Sequence, residues 1–161
     1  MKGSKSHELE TDVPASELWA IYGTLRFVQL FHELLPQVLQ KVDVVSGDGG
    51  VGTVIQLTFP AGDSGQFTYK EEFVKIDNEN RVKEAAAIEG DVLSLGFVKQ
   101  VVRLEIIEKG PSSSVIRSTV ECEFDDGHPE LEAKVSTKAL AAAAEAIAGY
   151  VKQHRASEAS S

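Results

Sequence analysis

Thiols are nearly absent from this chain: Cys122 is the only cysteine among 161 residues, which excludes an intramolecular disulfide framework and fits a reducing compartment. Long apolar runs are missing as well. None approaches the roughly 20 residues that span a bilayer, so no membrane contact is expected. The opening residues, MKGSKSHELETDV, lack the apolar core of a secretory signal, which makes the cytosol the expected compartment. Positive charge is also scarce. Sixteen Lys and Arg stand against 25 Asp and Glu, and a net charge of -9 repels nucleic-acid phosphates and anionic lipid over most of a surface. Neutral or cationic small molecules are the favoured partners. His7, His32, His128 and His154 are scattered without ligand spacing, and no G-x-S-x-G elbow is present. Neither a metal nor a cofactor is expected.

What is present reads as one domain over residues 1–155, followed by a short disordered tail at 156–161. SHELETDV alternates as a half-buried strand, with His7, Leu9, Thr11 and Val13 on one face. Two short helices follow in PASELWAIYGTLRFVQLFHELLP, where Pro14 suits a first helical turn, Gly23 breaks the run and Pro36 ends it. From about Val38 to Phe124 the texture is strand, turn, strand. The separators SGDGGVG, PAGDSG, DNEN, EGD and KGPSS divide it into six strands whose short links favour antiparallel pairing. HPELEAKVSTKALAAAAEAIAGYVKQH then reads as one long helix from Pro129, with acidic residues in its first turn and Lys152, His154 and Arg155 in its last. The class is α+β: a seven-stranded antiparallel sheet that must cover its apolar face with the long helix. The alanine run on that helix admits two readings, close packing on the sheet or a cavity beneath small side chains.

Three segments bear on chemistry. In QFTYKEEFVKI, alternation sets Phe67, Tyr69, Glu71 and Phe73 on one face and Thr68, Lys70 and Glu72 on the other. If the aromatic face is interior, burial raises the pKa of Glu71 and makes it a proton acceptor near neutrality; if it is an open rim, Glu71 is an ordinary carboxylate. In RVKEAAAIEG both parities mix apolar and polar residues, so Lys83 is either beside the Glu71 row or a solvated surface charge. In FVKQVVRLEII, Val98, Gln100, Val102, Leu104 and Ile106 share the inner face. Cys122 shares parity with Ile116, Val120 and Phe124 and reads as an inert buried thiol. The glycine-rich SGDGGVGTVIQLTFP lacks both the lysine and the helix of a phosphate-binding loop, so Gly47, Gly49, Gly50 and Gly52 are expected to supply positive φ between two strands, with backbone anion contact as the competing reading.

This order of elements, with GDGGVGT between the second and third strands, resembles the plant birch-pollen-allergen superfamily, which includes pathogenesis-related class ten proteins, major latex proteins and norcoclaurine synthases. The likeness runs from about Ser6 to His154. GDGGVGTVIQLTFP, YKEEFVKIDNENRVKE and LAAAAEAI are most similar to the norcoclaurine synthase branch. The resemblance implies a helix-grip fold, in which a curved sheet encloses a long helix and a large apolar cavity opens at the short-helix end. It also implies that the glycine loop is structural. Norcoclaurine synthases use a tyrosine, a glutamate, a lysine and an aspartate to condense dopamine with an arylacetaldehyde. Carried over, those positions are Tyr69, Glu71, Lys83 and, in place of the aspartate, Val102. Phe67, Phe73, Val102, Leu104 and Ala143 are expected to line the cavity.

Two functions of different class are therefore expected. One is a carrier or sensor for a small amphipathic ligand such as a hormone, flavonoid or alkaloid precursor, acting as a monomer or weak dimer. The other is a Pictet–Spengler synthase in which Lys83 polarises the aldehyde, Glu71 takes the ring proton and Tyr69 hydrogen-bonds near the entrance. Val102 favours the first, and the retained Tyr69, Glu71 and Lys83 favour the second. Ribonuclease activity is disfavoured by the acidic balance.

Overall fold

Alternation at the N-terminus does build a strand, and it begins earlier than expected: β1 runs Lys2–Thr11. The computed structural model describes residues 1–60 and 65–160, with side chains through 154. Two helices follow, α1 at Ala15–Tyr22 behind Pro14 and α2 at Arg26–Leu34, with Gly23 capping the first. Six strands complete the sheet: β2 Lys41–Ser46, β3 Val54–Pro60, β4 Gln66–Asp77, β5 Val82–Gly90, β6 Phe97–Gly110 and β7 Ser113–Phe124. Most of the PAGDSG turn, residues 61–64, lies outside the described residues.

The strands order as β1-β7-β6-β5-β4-β3-β2, every neighbouring pair antiparallel. Hairpin links join β2 through β7, and the α1–α2 segment carries the chain from β1 at one edge to β2 at the other. The long helix, α4 at Lys138–Ser160, packs on β1, β7 and α2. Its Ala143, Ala144, Ile147 and Ala148 are buried among Leu18, Leu30 and Ile116 of the core. This is the helix-grip arrangement.

Four details differ from the sequence reading, each for a physical reason. The C-terminal helix starts at Lys138, not Pro129: residues Pro129–Lys134 form a 3-10 turn, and Val135 is extended (φ -70°, ψ 120°) with its side chain buried. Ser136 and Thr137 then lead into the helix. The Ser136 hydroxyl accepts the Lys138 N–H at 3.2 Å and the Thr137 carbonyl accepts the Ala141 N–H, duties that suit these residues better at a helix start than inside one. The helical backbone runs to Ser160. A one-turn helix, α3 at Asp91–Ser94, fills the β5–β6 link where only a turn was expected.

The third difference concerns strand phase. At Val45, Val74, Ile88 and Val98 the register shifts by one residue. Such bulges bend a sheet and interrupt its alternation. Phe97 therefore points inward, opposite Phe124, while Val98, expected inside, is 70% exposed. The fourth concerns the glycine loop. Gly47, Gly49 and Gly52 take positive φ and Gly50 does not. Its N–H groups are spent internally: Gly49 donates to Thr53 Oγ1, Gly50 to Asp48, Gly52 to the Phe73 carbonyl and Thr53 to the Gly50 carbonyl. That leaves the loop a β2–β3 connector rather than an anion cradle.

Candidate functional site

The concave face of the sheet, α2 and the approach to α4 enclose a cavity of about 220 Å³. Strand β4 supplies Phe67, Tyr69, Glu71 and Phe73 to its wall. Strand β5 adds Lys83 and Ala85, and β6 adds Gln100, Val102 and Leu104. Period-two alternation on three adjacent strands thus delivers seven of the eight expected residues to one space. Ala143 is the exception. It is fully buried in the helix–sheet core, and α4 meets the cavity one turn earlier, through Ala139 and Leu140.

Register explains how the polar groups are spaced. Glu71 lies opposite Ala87, Phe73 opposite Ala85, and Ile76 opposite Lys83. Phe73 therefore lies between the register positions of Glu71 and Lys83, with Lys83 Nζ 4.0 Å from its ring centroid. The same Nζ donates to the Thr24 carbonyl at 3.1 Å, anchoring the lysine to the α1–α2 joint. Small Ala85 and Ala87 leave the volume above β5 open. Glycine at position 90 completes the frame: its φ is +114°, and a Cβ there would sit 2.6 Å from Tyr69 Cα, so only glycine lets β5 approach Tyr69 this closely.

Burial sets the electrostatics. Desolvation drives the Glu71 carboxyl up to about 7, and the positive charge of Lys83 opposes that rise. Desolvation likewise pushes the Lys83 ammonium down to about 8, against the pull of Glu71. A carboxylate and an ammonium are thus both drawn close to neutrality inside one apolar chamber. Burial also raises the Tyr69 phenol, with the Glu71 charge adding to the effect. Its ring lies near Phe59 (6.1 Å) and edge-on to Phe67 (6.0 Å). Among the described residues, Glu71 is the one acidic residue in the lining.

The exposed lining residues are Leu95, Lys134 and Ser136, beside α3 and on the link to α4. At the short-helix end, where the opening was expected, Phe27, Val28 and Phe31 of α2 line the cavity and are buried. Leu95, Lys134, Ser136 and Gln100 were given no role by the sequence reading; Gln100 had the inner parity, but nothing in a single sequence marks a neutral amide as a site residue. Among the described residues, no group of three His, Cys, Asp or Glu could hold a metal, and no helix is long and apolar enough to cross a membrane.

Comparison with known proteins agrees with this fold and cavity. The sequence model of the Pathogenesis-related protein Bet v 1 family matches residues 1–154. The chain belongs to the Bet v 1 family. Within it, this Bet v 1 protein is 57% identical over 128 residues to norbelladine synthase of Narcissus pseudonarcissus, covering 80% of this chain and 78% of that one. It is 40% identical to S-norcoclaurine synthase 1 of Papaver somniferum, over 93% of this chain and 65% of the poppy protein, so it spans just under two thirds of that relative. The X-ray structure of norcoclaurine synthase from Thalictrum flavum in complex with dopamine and hydroxybenzaldehyde superposes with a TM-score of 0.83 at 33% identity, covering 96% of this chain and 88% of that one.

Proposed function

We propose that this Bet v 1 protein condenses an aromatic ethylamine with an aromatic aldehyde inside its cavity. The observation that carries the reading is the pairing of Glu71 and Lys83 in one apolar chamber, with the carboxyl raised to about 7 and the ammonium lowered to about 8. Each can hold or release a proton near neutral pH, as general acid–base catalysis requires. The similarity to synthases, one of them solved with dopamine and an aromatic aldehyde, supports the substrate class.

The chemistry follows from those two groups. The amine nitrogen attacks the aldehyde carbon, and the carbonyl oxygen takes a proton from the Lys83 ammonium. Glu71 removes a proton from the new ammonium to leave a neutral hemiaminal. Protonation of its hydroxyl by the Glu71 carboxylic acid then releases water and an iminium, and restores the Glu71 carboxylate. For an electron-rich ring, a ring carbon attacks the iminium carbon, and the Glu71 carboxylate takes the displaced ring proton. The Thr24 carbonyl and the Phe73 face hold Lys83 in place, and the apolar wall keeps bulk water from reversing the dehydration. Val102 stands where the resemblance expects an aspartate, so Glu71 is the acidic wall residue available to the cationic amine.

The test is incubation of dopamine with 4-hydroxyphenylacetaldehyde followed by chiral product analysis, and with 4-hydroxybenzaldehyde followed by borohydride trapping of the open-chain imine. The wild-type protein is expected to give enantiomeric excess in the first case or accelerated imine formation in the second, and Lys83→Ala to give neither. Racemic product and no acceleration would leave the second reading: a carrier of a small amphipathic metabolite, favoured by the hydrocarbon at Val102 and the largely apolar wall.

A further inference from the structure

The sheet is open, and its two edges are guarded differently. β2 is six residues long and bulged at Val45, two devices that keep an edge strand from pairing with another chain. β1 is ten residues long and meets β7 in unbroken register from Lys2 to Thr11, with neither bulge nor proline. Which of its backbone groups are free follows from the first residue. The Met1 carbonyl accepts the Phe124 N–H at 2.9 Å and the Met1 amine donates to the Phe124 carbonyl at 2.7 Å, so these two residues form a hydrogen-bonded pair. Odd-numbered residues of β1 therefore bond to β7, and Lys2, Ser4, Ser6, Glu8 and Glu10 turn their N–H and C=O groups to the open edge. All five are exposed, and among the described residues no backbone hydrogen bond from outside the sheet reaches those groups.

We propose that β1 is a self-association edge, on which two copies of this chain pair their β1 strands antiparallel about a two-fold axis at Ser6. That register opposes Lys2 to Glu10, Ser4 to Glu8 and Ser6 to itself, so all five outward residues of each copy exchange both backbone bonds. The side chains agree with it. These five share the face of the strand turned away from the core, basic at one end and acidic at the other, and the axis sets each copy's Lys2 beside the other's Glu10. A slide of two residues in either direction leaves Lys2 or Glu10 without a partner inside the strand. The charges that would ordinarily guard an edge are thus arranged to attract a copy of themselves. Two sheets join into one continuous sheet, and because no cavity-lining residue comes from β1, each copy keeps its chamber intact. A net charge of -9 on each copy opposes the approach and keeps the pairing weak. The inference stands apart from the amine–aldehyde reading.

Sedimentation equilibrium of the full chain tests this. The wild-type protein is expected to pass from monomer to dimer between about 10 µM and 1 mM, the range of a small and polar interface. Lys2→Glu sets glutamate against glutamate, and Glu10→Lys sets lysine against lysine. Each should weaken self-association by about tenfold or more, because both attractive pairs of the dimer become repulsive. Glu10→Lys also lowers the net negative charge, so its weakening separates local matching from overall repulsion. An equimolar mixture of the two variants restores both pairs in one heterodimer and should associate about as tightly as wild type. Ser6→Pro removes the N–H donated at the axis, leaves the bonds to β7 in place and should weaken association by a similar factor with no change of charge. A wild-type protein that stays monomeric at the top of the range overturns the proposal. So does a dimer indifferent to the charge reversals, which would place the interface elsewhere, or a mixture that associates no better than its components.

Discussion

Lys83 and Glu84 are neighbours on β5, yet alternation sends them to opposite sides of the sheet and to opposite electrostatic fates. Outside, Glu84 accepts from Arg103 at 2.9 Å, and Arg103 also donates to Glu121 at 2.8 Å. Those hydrogen bonds raise the Arg103 guanidinium above its ordinary value and lower the Glu121 carboxyl. The Arg103 and Glu121 charges there are held in their ionised forms by each other. Inside, Lys83 has a carbonyl and an aromatic face for company, and Glu71 is set two register positions away on β4, beyond Phe73. Desolvation dominates, and both groups move toward neutrality. One row of charges is spent on its neighbours, whereas the other is kept available for a visitor.

The largest test of that contrast is removal of an inner charge. Glu71→Gln and Lys83→Met are each expected to slow condensation by about 10²-fold or more, the usual scale for a lost general acid or base, while leaving the fold intact. Product formation under saturating substrates checks this. A rate within threefold of wild type in either variant would place the inner pair beside the outer one as mere structure.

Next in size is a pH signature. The folded pKa of Glu71 lies above its unfolded value, so the native state binds the extra proton and stability falls as pH rises from about 4.5 to about 7. Lys83 is depressed, so its cost is greatest while the unfolded chain stays charged and is relieved as pH climbs from about 8 to 10.5. Denaturant unfolding should show Glu71→Gln gaining on wild type across the lower window, by an amount on the order of 2 kcal/mol. A constant difference between pH 4 and 8 would contradict the burial argument. Bringing a third charge inside should be nearly as costly. Val102→Asp is expected to lose about 2 kcal/mol of stability from an unpaired half-buried carboxylate while binding dopamine several-fold more tightly, read by melting and calorimetry. The smallest effect is outside: Arg103→Ala should cost about 1 kcal/mol or less, shrink further in high salt, and leave turnover unchanged.

How much of this was readable in advance follows from which rule was in force. Strict alternation governs the middle of β4, so Phe67, Tyr69, Glu71 and Phe73 could be grouped from sequence, and the structure has them on one wall. Lys83 was undecided because alanines occupy both parities of β5; its neighbours on β4 and β6 decide it, and no local pattern contains them. The bulge at Val98 and the break at Val135 were hidden for a related reason. Each pays a local irregularity to bury Phe97 or Val135, a tertiary gain invisible to periodicity. Ala143 was expected at the cavity from resemblance, but the helix begins later and its cavity-facing turn is at Ala139 and Leu140.

The bulges carry one further consequence. At Val74, Ile88 and Val98 the residues on either side of the irregularity still face as a regular ladder would have them: Phe73 in and Lys75 out, Ala87 in and Glu89 out, Phe97 in and Lys99 out. Deleting the bulged residue would rejoin those neighbours in correct phase, leaving every wall residue in place while flattening the sheet. Single-residue insertions and deletions at these points therefore resize the chamber without rewriting its chemistry. Glu71 and Lys83 would keep their places in the wall through such changes.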